Sequence, residues 1–308
     1  MPLRITVLGR GAWGSTLIDL WQRGGHQLRC WSRRDGGDPA AALADAQLVV
    51  VAVAMAGVEP LAAQLAPLWP AGVPLLSCSK GIDPGALTTA SQLWGQRLPQ
   101  LPLAVLSGPN LAEELRRGLP AASVLASSDL DLAAELQRQL SGGCLRLYTN
   151  ADPLGTEVAG ALKNVMAVAA GLCDGLQLGA NARASLLTRG LAEMGVVLQG
   201  LGGCSSTLYG LAGLGDLLAT ATSPLSRNYR CGLLLAEGRS ELEAAAVIGA
   251  TVEGPRTARA ALSLAAQRGW SLPICDQVVA VMEQRLTPAD AARALMGREL
   301  RPELPLRP

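Results

Sequence analysis

The sequence predicts an α/β chain: a parallel sheet covered by helices over residues 1–150, followed by an all-helical half over residues 151–308. Three observations predict it. In the first half, short apolar runs alternate with helix-like stretches, the pattern of strands joined by crossover helices. After "NADP" (150–153) no strand-like run appears. From there to the end, alanine- and leucine-rich segments are separated by glycines.

The elements follow in order. "RITVLG" (4–9), "LVVVAV" (48–53) and "VPLLSCS" (73–79) read as strands buried on both faces, because they are continuously apolar rather than alternating, and a second strand falls at about 27–31. Helix-like stretches lie between them at 12–23 and 57–69. "LAVLSG" (103–108), "ASVLAS" (122–127) and "CLRLYT" (144–149) complete the strand set. The most apolar helical stretch, 156–172, carries Glu157 and Lys163 and falls short of the ~20 apolar residues a membrane span needs. The tail "LRPELPLRP" (300–308) reads as a poorly ordered end.

Composition narrows the function. A 308-residue chain that is 49% hydrophobic and 17% charged is long enough for two domains and a substantial core. Twenty-five acidic and 26 basic residues leave a net charge of +1, so no global field attracts nucleic acid or an anionic membrane. Any anion must be held locally. The start, "MPLRITVLGRG", enters a strand without an apolar signal region, which predicts a cytoplasmic protein. Seven cysteines, an odd number with no C-x-x-C pair, argue against a disulfide framework or a structural metal. Phenylalanine is absent, so the cores must be aliphatic.

Directly after the first strand comes "GRGAWG", with Gly9, Gly11 and Gly14 in a G-x-G-x-x-G pattern ahead of a helix. The first glycine permits a tight turn, the second a close approach of backbone to a pyrophosphate, and the third close packing of helix on strand. In this context the motif predicts a Rossmann-type dinucleotide-binding domain, with helix N–H groups facing phosphate charge. At the end of the second strand, where an acidic residue would read a ribose 2′-hydroxyl, the chain has "CWSRRDGG". Arg33 and Arg34 suit a 2′-phosphate and favour NADP(H), while neighbouring Asp35 leaves NAD(H) open. His26, the single histidine, lies before the second strand and is a poor candidate for catalysis.

Only two of the 26 basic residues are lysines, Lys80 and Lys163. Lysines that persist where arginine is otherwise used should occupy places needing a compact or titratable ammonium, since a guanidinium stays protonated. Lys163 lies in "ALKNVMAVAAGL" with Ala159, Gly160, Met166 and Ala167 at helical neighbour spacings and no carboxylate among them. Such surroundings predict a desolvated ammonium whose pKa falls toward the working pH, able to give and take a proton. Asp216, read locally, is equally a helix N-cap, Arg227 and Asn228 an ordinary loop, and Glu253 a turn residue before Gly254.

Four stretches resemble the bacterial NAD(P)-dependent sn-glycerol-3-phosphate dehydrogenases: "SGPNLAEELRRGLPAASVLAS" (107–127), residues 150–194 around the K-N pair, "GLAGLGDLLATATSPLSRNYRCG" (210–232) and "VEGPRTA" (252–258). The similarity runs through nearly the whole chain in order. It implies a C-terminal domain like that of 6-phosphogluconate dehydrogenase and reversible NAD(P)H-dependent reduction of dihydroxyacetone phosphate for glycerophospholipid synthesis. Lys163 would be the general acid/base, an effect typically worth ~10² to 10⁴ in rate, with Asp216 as its acidic partner. The same resemblance places Lys80, Gly108, Ser226, Arg227 and Asn228 around the substrate. It places Trp13, Arg33, Arg34, Lys80, Ala112, Arg227 and Glu253 at the cofactor, beside the glycine loop. Asn164 would orient Lys163 or bond a substrate hydroxyl. A homodimer stays open.

Three departures stand out. The family's connection after the second strand is much longer than residues 35–47 here, and its proline and serine after the third strand are replaced by Ala54 and Met55. Asn110 stands where serine or threonine is frequent. The alternatives are a related reductase of another small keto acid or 2-hydroxy acid, and a non-catalytic protein that senses NADP.

Overall fold

The computed structural model describes residues 2–300 together with 302 and 303; Met1 and most of the expected disordered tail, residues 301 and 304–308, lie outside them. Seven strands form one sheet: β1 (Arg4–Leu8), β2 (Gln27–Trp31), β3 (Leu48–Val51), β4 (Leu75–Ser77), β5 (Leu103–Ser107), β6 (Ala121–Ala126) and β7 (Leu145–Asn150). Their order is β2-β1-β3-β4-β5-β6-β7. The chain steps from β1 to one side for β2 and to the other for β3, pairing Val7 with both Cys30 and Val50. This reversal creates the crevice at strand carboxyl ends where open α/β sheets bind ligands.

The sheet is not purely parallel, and the expectation is corrected at one pairing. β5 and β6 run antiparallel, with Val105 opposite Ala126, whereas β6 and β7 are parallel again. The reason is the link between them. A parallel return needs a crossover, usually a full helix. Between β5 and β6 the chain forms only α5 (Ala112–Arg116) before turning at Gly118, whose φ is +76°. Between β6 and β7 it builds the 11-residue α6 (Leu130–Leu140), capped by Asp129, and the parallel crossover is restored.

Both faces of the sheet are covered, as continuous apolar strands require. Alternation along β3 sends Leu48 and Val50 to one core with Leu17 and Trp21 of α1 (Ala12–Arg23). It sends Val49 and Val51 to the other, with Leu61 and Leu65 of α3 (Val58–Leu65) and Leu93 and Trp94 of α4 (Ala90–Arg97). The 35–47 connection is short, as read, yet holds one helical turn, α2 (Pro39–Ala42), which Asp38 caps through Ala40 N. It adds no further strand, so β2 remains the sheet edge and is largely exposed. His26 fastens this region: Leu3 N donates to its Nδ1 at 3.1 Å, and its Nε2 lies 3.1 Å from the Gln139 carbonyl.

From Pro153 onward the described residues form helices and turns. Helix α7 (Pro153–Gly175) runs through the middle, buried continuously from Gly155 to Cys173. Around it pack α8 (Gly179–Gly200), α9 (Asp216–Ala221), α10 (Arg227–Ala236), α11 (Glu241–Ile248), α12 (Gly254–Arg268), α13 (Pro273–Met282) and α14 (Pro288–Met296). Helices α7 and α10 cross backbone to backbone. A Cβ on Gly171 would stand 2.1 Å from the Tyr229 carbonyl oxygen, and one on Gly232 would stand 2.1 Å from that of Val168. No helix among the described residues is long and apolar enough to cross a membrane.

A buried carboxylate joins the two halves. Glu157 on α7 accepts from Ser91 N at 2.9 Å and from Ser91 Oγ, so it satisfies the first turn of α4 across the boundary. Burial pushes its pKa up, against the hydrogen bonds from Ser91. One turn later on α7, a Cβ on Gly160 would meet Ser107 Oγ at 2.7 Å, so the helix lies directly on the end of β5.

Candidate active site

The glycine loop has the geometry its sequence implies. Gly9 has φ +108°, and a Cβ there would strike the Ala52 carbonyl oxygen at 2.6 Å. A Cβ on Gly14 would lie 1.9 Å from the Gly9 carbonyl oxygen, which is why helix and loop pack so closely. A Cβ on Gly11 would meet nothing within 4 Å, leaving open space over the start of α1. Gly11 caps that helix without a side chain, so its first N–H groups keep their hydrogen-bonding capacity for an anion. The loop therefore fits a dinucleotide pyrophosphate.

Beyond β2, Arg33 and Arg34 are exposed, and neither makes a hydrogen bond or ion pair among the described residues. Asp35 is engaged: its Oδ2 accepts from Arg10 Nη1 at 3.2 Å and from Ser32 Oγ at 2.7 Å. Arg10, in the glycine loop, is a residue that the sequence reading missed. Trp13 is partly buried and packs against the core on the α1 side of the sheet. Ala112 opens α5, and its carbonyl accepts from Thr16 Oγ1 at 3.5 Å. Glu253 precedes α12 without capping it; its Oε1 accepts from Met55 N at 3.3 Å. Burial pushes the Glu253 pKa up, opposed by the Met55 N–H and by Arg256 and Arg227. Met55 is buried and contributes its backbone N–H to Glu253.

Both lysines converge on one carboxylate. Lys163 Nζ donates to Asp216 Oδ1 at 3.0 Å, and Lys80 Nζ donates to Asp216 Oδ2 at 2.6 Å. Thr220 Oγ1 accepts from Lys163 at 2.6 Å and stands 3.2 Å from Asp216 Oδ1, one helical turn away on α9. Lys80 also reaches the Gly108 carbonyl at 3.2 Å. Gly108 has φ +139°, and a Cβ there would lie 2.9 Å from the Ser123 Cα. Lys163 is 7% exposed and Asp216 1%.

The electrostatics follow from that burial. Desolvation lowers the Lys163 pKa to about 8; Lys80 and Arg227 act in the same direction, and Asp216 opposes them. For Asp216, burial alone would raise the pKa, but the two ammonium groups more than offset it and hold the carboxyl below its usual range. The segment leading to Asp216 is a π-helical turn, Leu211–Gly215, closed by Gly215 N donating to the Gly210 carbonyl at 3.1 Å. Gly213 allows it, since a Cβ there would stand 2.0 Å from the Leu208 carbonyl oxygen. The turn delivers Asp216 as the first residue of α9 with its side chain directed at the lysines rather than capping its own helix.

Around this cluster, Ser226 caps α10 by accepting from Tyr229 N at 3.2 Å. Arg227 begins α10, exposed and without a hydrogen bond among the described residues, yet close enough for its charge to act on Lys163 and Glu253. Asn228 donates to Asn164 Oδ1 at 2.8 Å and accepts from Gly254 N at 2.9 Å, tying α7, α10 and α12 together. Asn164 thus faces Asn228, not Lys163. Asn110 accepts from Ser123 Oγ, and its Nδ2 is buried without a partner. Two surface hollows, one against β7 at Tyr148 and Leu211 and one beside His26 and Arg138, contain none of these side chains.

A glycine loop at the switch point of a Rossmann-like sheet, together with a desolvated lysine supplied by the helical half, defines a nicotinamide-dependent oxidoreductase. The chain belongs to the NAD-dependent glycerol-3-phosphate dehydrogenase family: the model of that family's C-terminus matches residues 152–293 and that of its N-terminus residues 36–133. Among its relatives, glycerol-3-phosphate dehydrogenase [NAD(P)+] of Synechococcus sp. (strain RCC307) is 59% identical, covering 98% of this chain and 100% of its own length. That of Acaryochloris marina is 48% identical, covering 97% of each chain. The crystal structure of glycerol-3-phosphate dehydrogenase from Coxiella burnetii superposes with a TM-score of 0.93 at 34% identity, over 96% of this chain and 99% of that one. A 2-dehydropantoate 2-reductase from Geobacter metallireducens shares the fold at 15% identity, with a TM-score of 0.61.

Proposed function

We propose that this chain reduces dihydroxyacetone phosphate to sn-glycerol 3-phosphate, reversibly, with NADP(H) preferred over NAD(H). Residues 1–150 hold the dinucleotide and 151–308 supply the substrate site. The observation that carries this reading is the desolvated Lys163 ammonium, fixed by Asp216 and Thr220 beside the carboxyl ends of the strands. Gly9, Gly11 and Gly14 would admit the pyrophosphate, with Arg33 and Arg34 toward the 2′-phosphate. When bound, the cofactor supplies a hydride to the C2 carbonyl carbon. Lys163 donates its proton to the carbonyl oxygen as negative charge builds there, and recovers it when the alcohol is oxidised. Asp216 keeps the ammonium aimed and balances its charge. Arg227 is the natural partner for the substrate phosphate. Ser226 shapes its site as the cap of α10, and Asn228 as the tie between helices.

The product suits glycerophospholipid synthesis in the cytoplasm. The two alternative readings are less favoured: the chain belongs to the glycerol-3-phosphate dehydrogenase family rather than to a keto-acid reductase family, and a sensor has no use for a tuned lysine. Oxidation of NADPH or NADH is followed with dihydroxyacetone phosphate and, separately, with unphosphorylated dihydroxyacetone. Turnover with the first and a preference of about a hundredfold or more over the second are expected, given the worth of charge-assisted bonds to a phosphate. No turnover with either cofactor would discard the proposal.

A further inference from the structure

The glycine loop and the turn after β2 are linked by an ion pair that the catalytic chemistry does not use. Arg10 and Asp35 lie 25 residues apart in sequence, but parallel pairing of β1 with β2 brings the ends of those strands together, and Gly9 N donates to the Trp31 carbonyl at 2.8 Å. Asp35 does not project from the strand end. Its backbone N donates to the Ser32 carbonyl at 3.1 Å, folding the turn back, and its Oδ2 takes both the Ser32 hydroxyl and the Arg10 guanidinium. Ser32 is buried, so the carboxylate is fixed from below as well as paired from the side. The partners remain about half exposed, 52% for the Arg10 side chain and 47% for that of Asp35. A pair so solvated contributes little to stability. Its consequence lies in where it places charge.

That place is where dinucleotide-binding sheets discriminate between cofactors. A carboxylate free to accept from the ribose 2′-hydroxyl selects NAD(H) and repels a 2′-phosphate, whereas guanidinium groups select the phosphate. This turn carries both kinds, Arg33 and Arg34 beside Asp35. We propose that Arg10 is a cofactor-specificity residue: by pairing with Asp35 it withdraws the turn's carboxylate from the ribose and leaves Arg33 and Arg34 facing the 2′-phosphate unopposed. Arg10 acts through Asp35 rather than by touching the phosphate. The inference rests on the reading of the glycine loop as a nicotinamide dinucleotide site and adds to it the device that sets the preference.

Direct binding of NADPH and NADH is measured by titration calorimetry, without substrate, on the wild-type chain, Arg10→Ala, Asp35→Asn and the double variant. Arg10→Ala should lower the NADPH-over-NADH preference about fivefold or more, mainly by weakening NADPH, as expected when one repelling charge is unmasked. Asp35→Asn should retain or tighten NADPH and leave NADH little changed, because the paired carboxylate is already withdrawn from the ribose. In the Asp35→Asn background, Arg10→Ala should change the preference less than about twofold, because the effect requires the carboxylate. An unmoved preference in the single Arg10 variant overturns the inference. So does an equal loss of NADPH affinity in both backgrounds, which would mean that Arg10 contacts the phosphate itself. A wild-type chain that binds neither cofactor overturns the dinucleotide reading and this inference together, and is distinguishable from both results.

Discussion

At the inner end of the site, Lys163 and Asp216 are buried, Lys80 is partly buried, and each charge is held by a partner on another element. At the outer end, Arg33, Arg34 and Arg227 are exposed and bond to nothing among the described residues. The two ends handle charge in opposite ways, as the tasks proposed for them would require. A proton donor must have a fixed position and a tuned pKa before substrate arrives, so burial and a carboxylate are built in. A phosphate-binding arginine needs only its permanent charge, and satisfying it internally would have to be undone on every binding event. Asp35, the acid beside Arg33 and Arg34, is by contrast paired.

Breaking the inner end should have the largest effects. Lys163→Arg keeps the charge but removes the titratable nitrogen, so turnover should fall about a hundredfold or more while cofactor affinity is retained. A variant near the wild-type rate would contradict the acid/base role. Asp216→Asn leaves two facing ammonium groups without their counter-charge; urea unfolding should show a loss of ~3–5 kcal/mol, the usual cost of removing one partner of a buried pair. A loss under about 1 kcal/mol would place this cluster among ordinary surface pairs.

The outer end should respond more gently and selectively. Replacing Arg33 and Arg34 together by alanine should weaken NADPH about tenfold while changing NADH little, by direct titration. Equal weakening of both would remove the 2′-phosphate assignment. The smallest effect sharpens the comparison by pH. Because the Lys163 pKa is lowered to about 8, the protonated donor is lost as pH rises through that value, so ketone reduction should decline there and alcohol oxidation should gain. Arginines do not titrate in this range, so cofactor affinity should not follow the same curve. A reduction rate unchanged between about pH 7 and about pH 9.5 would mean that the lysine is not the donor.

Much of this was legible in the chain. Strand positions could be read because both faces of the sheet are covered, which makes runs such as that at 48–51 continuously apolar. Lys163 could be read because rarity and an apolar helical neighbourhood are local signals. What could not be read were contacts closed by tertiary structure. Lys80 meets Asp216 across 136 residues, and nothing near either announces the other. Thr220 was missed although its i, i+4 spacing from Asp216 was a usable sign. The antiparallel β5–β6 pairing was hidden because strand composition carries no direction. Only the short intervening α5 distinguishes that link from a crossover. Ser226 and Asn228, expected at the substrate, also bond within the helical half, which resemblance alone does not disclose.

Glu157 bears on how the chain can be divided. Its carboxylate reaches across from α7 to the first turn of α4, so neither piece of a protein severed near residue 150 would be whole. The front fragment would expose bare amide groups at a helix start, and the rear fragment would carry a stranded acid on an otherwise greasy surface. Proteolysis or gene splitting at that junction should therefore yield partners that need each other in solution.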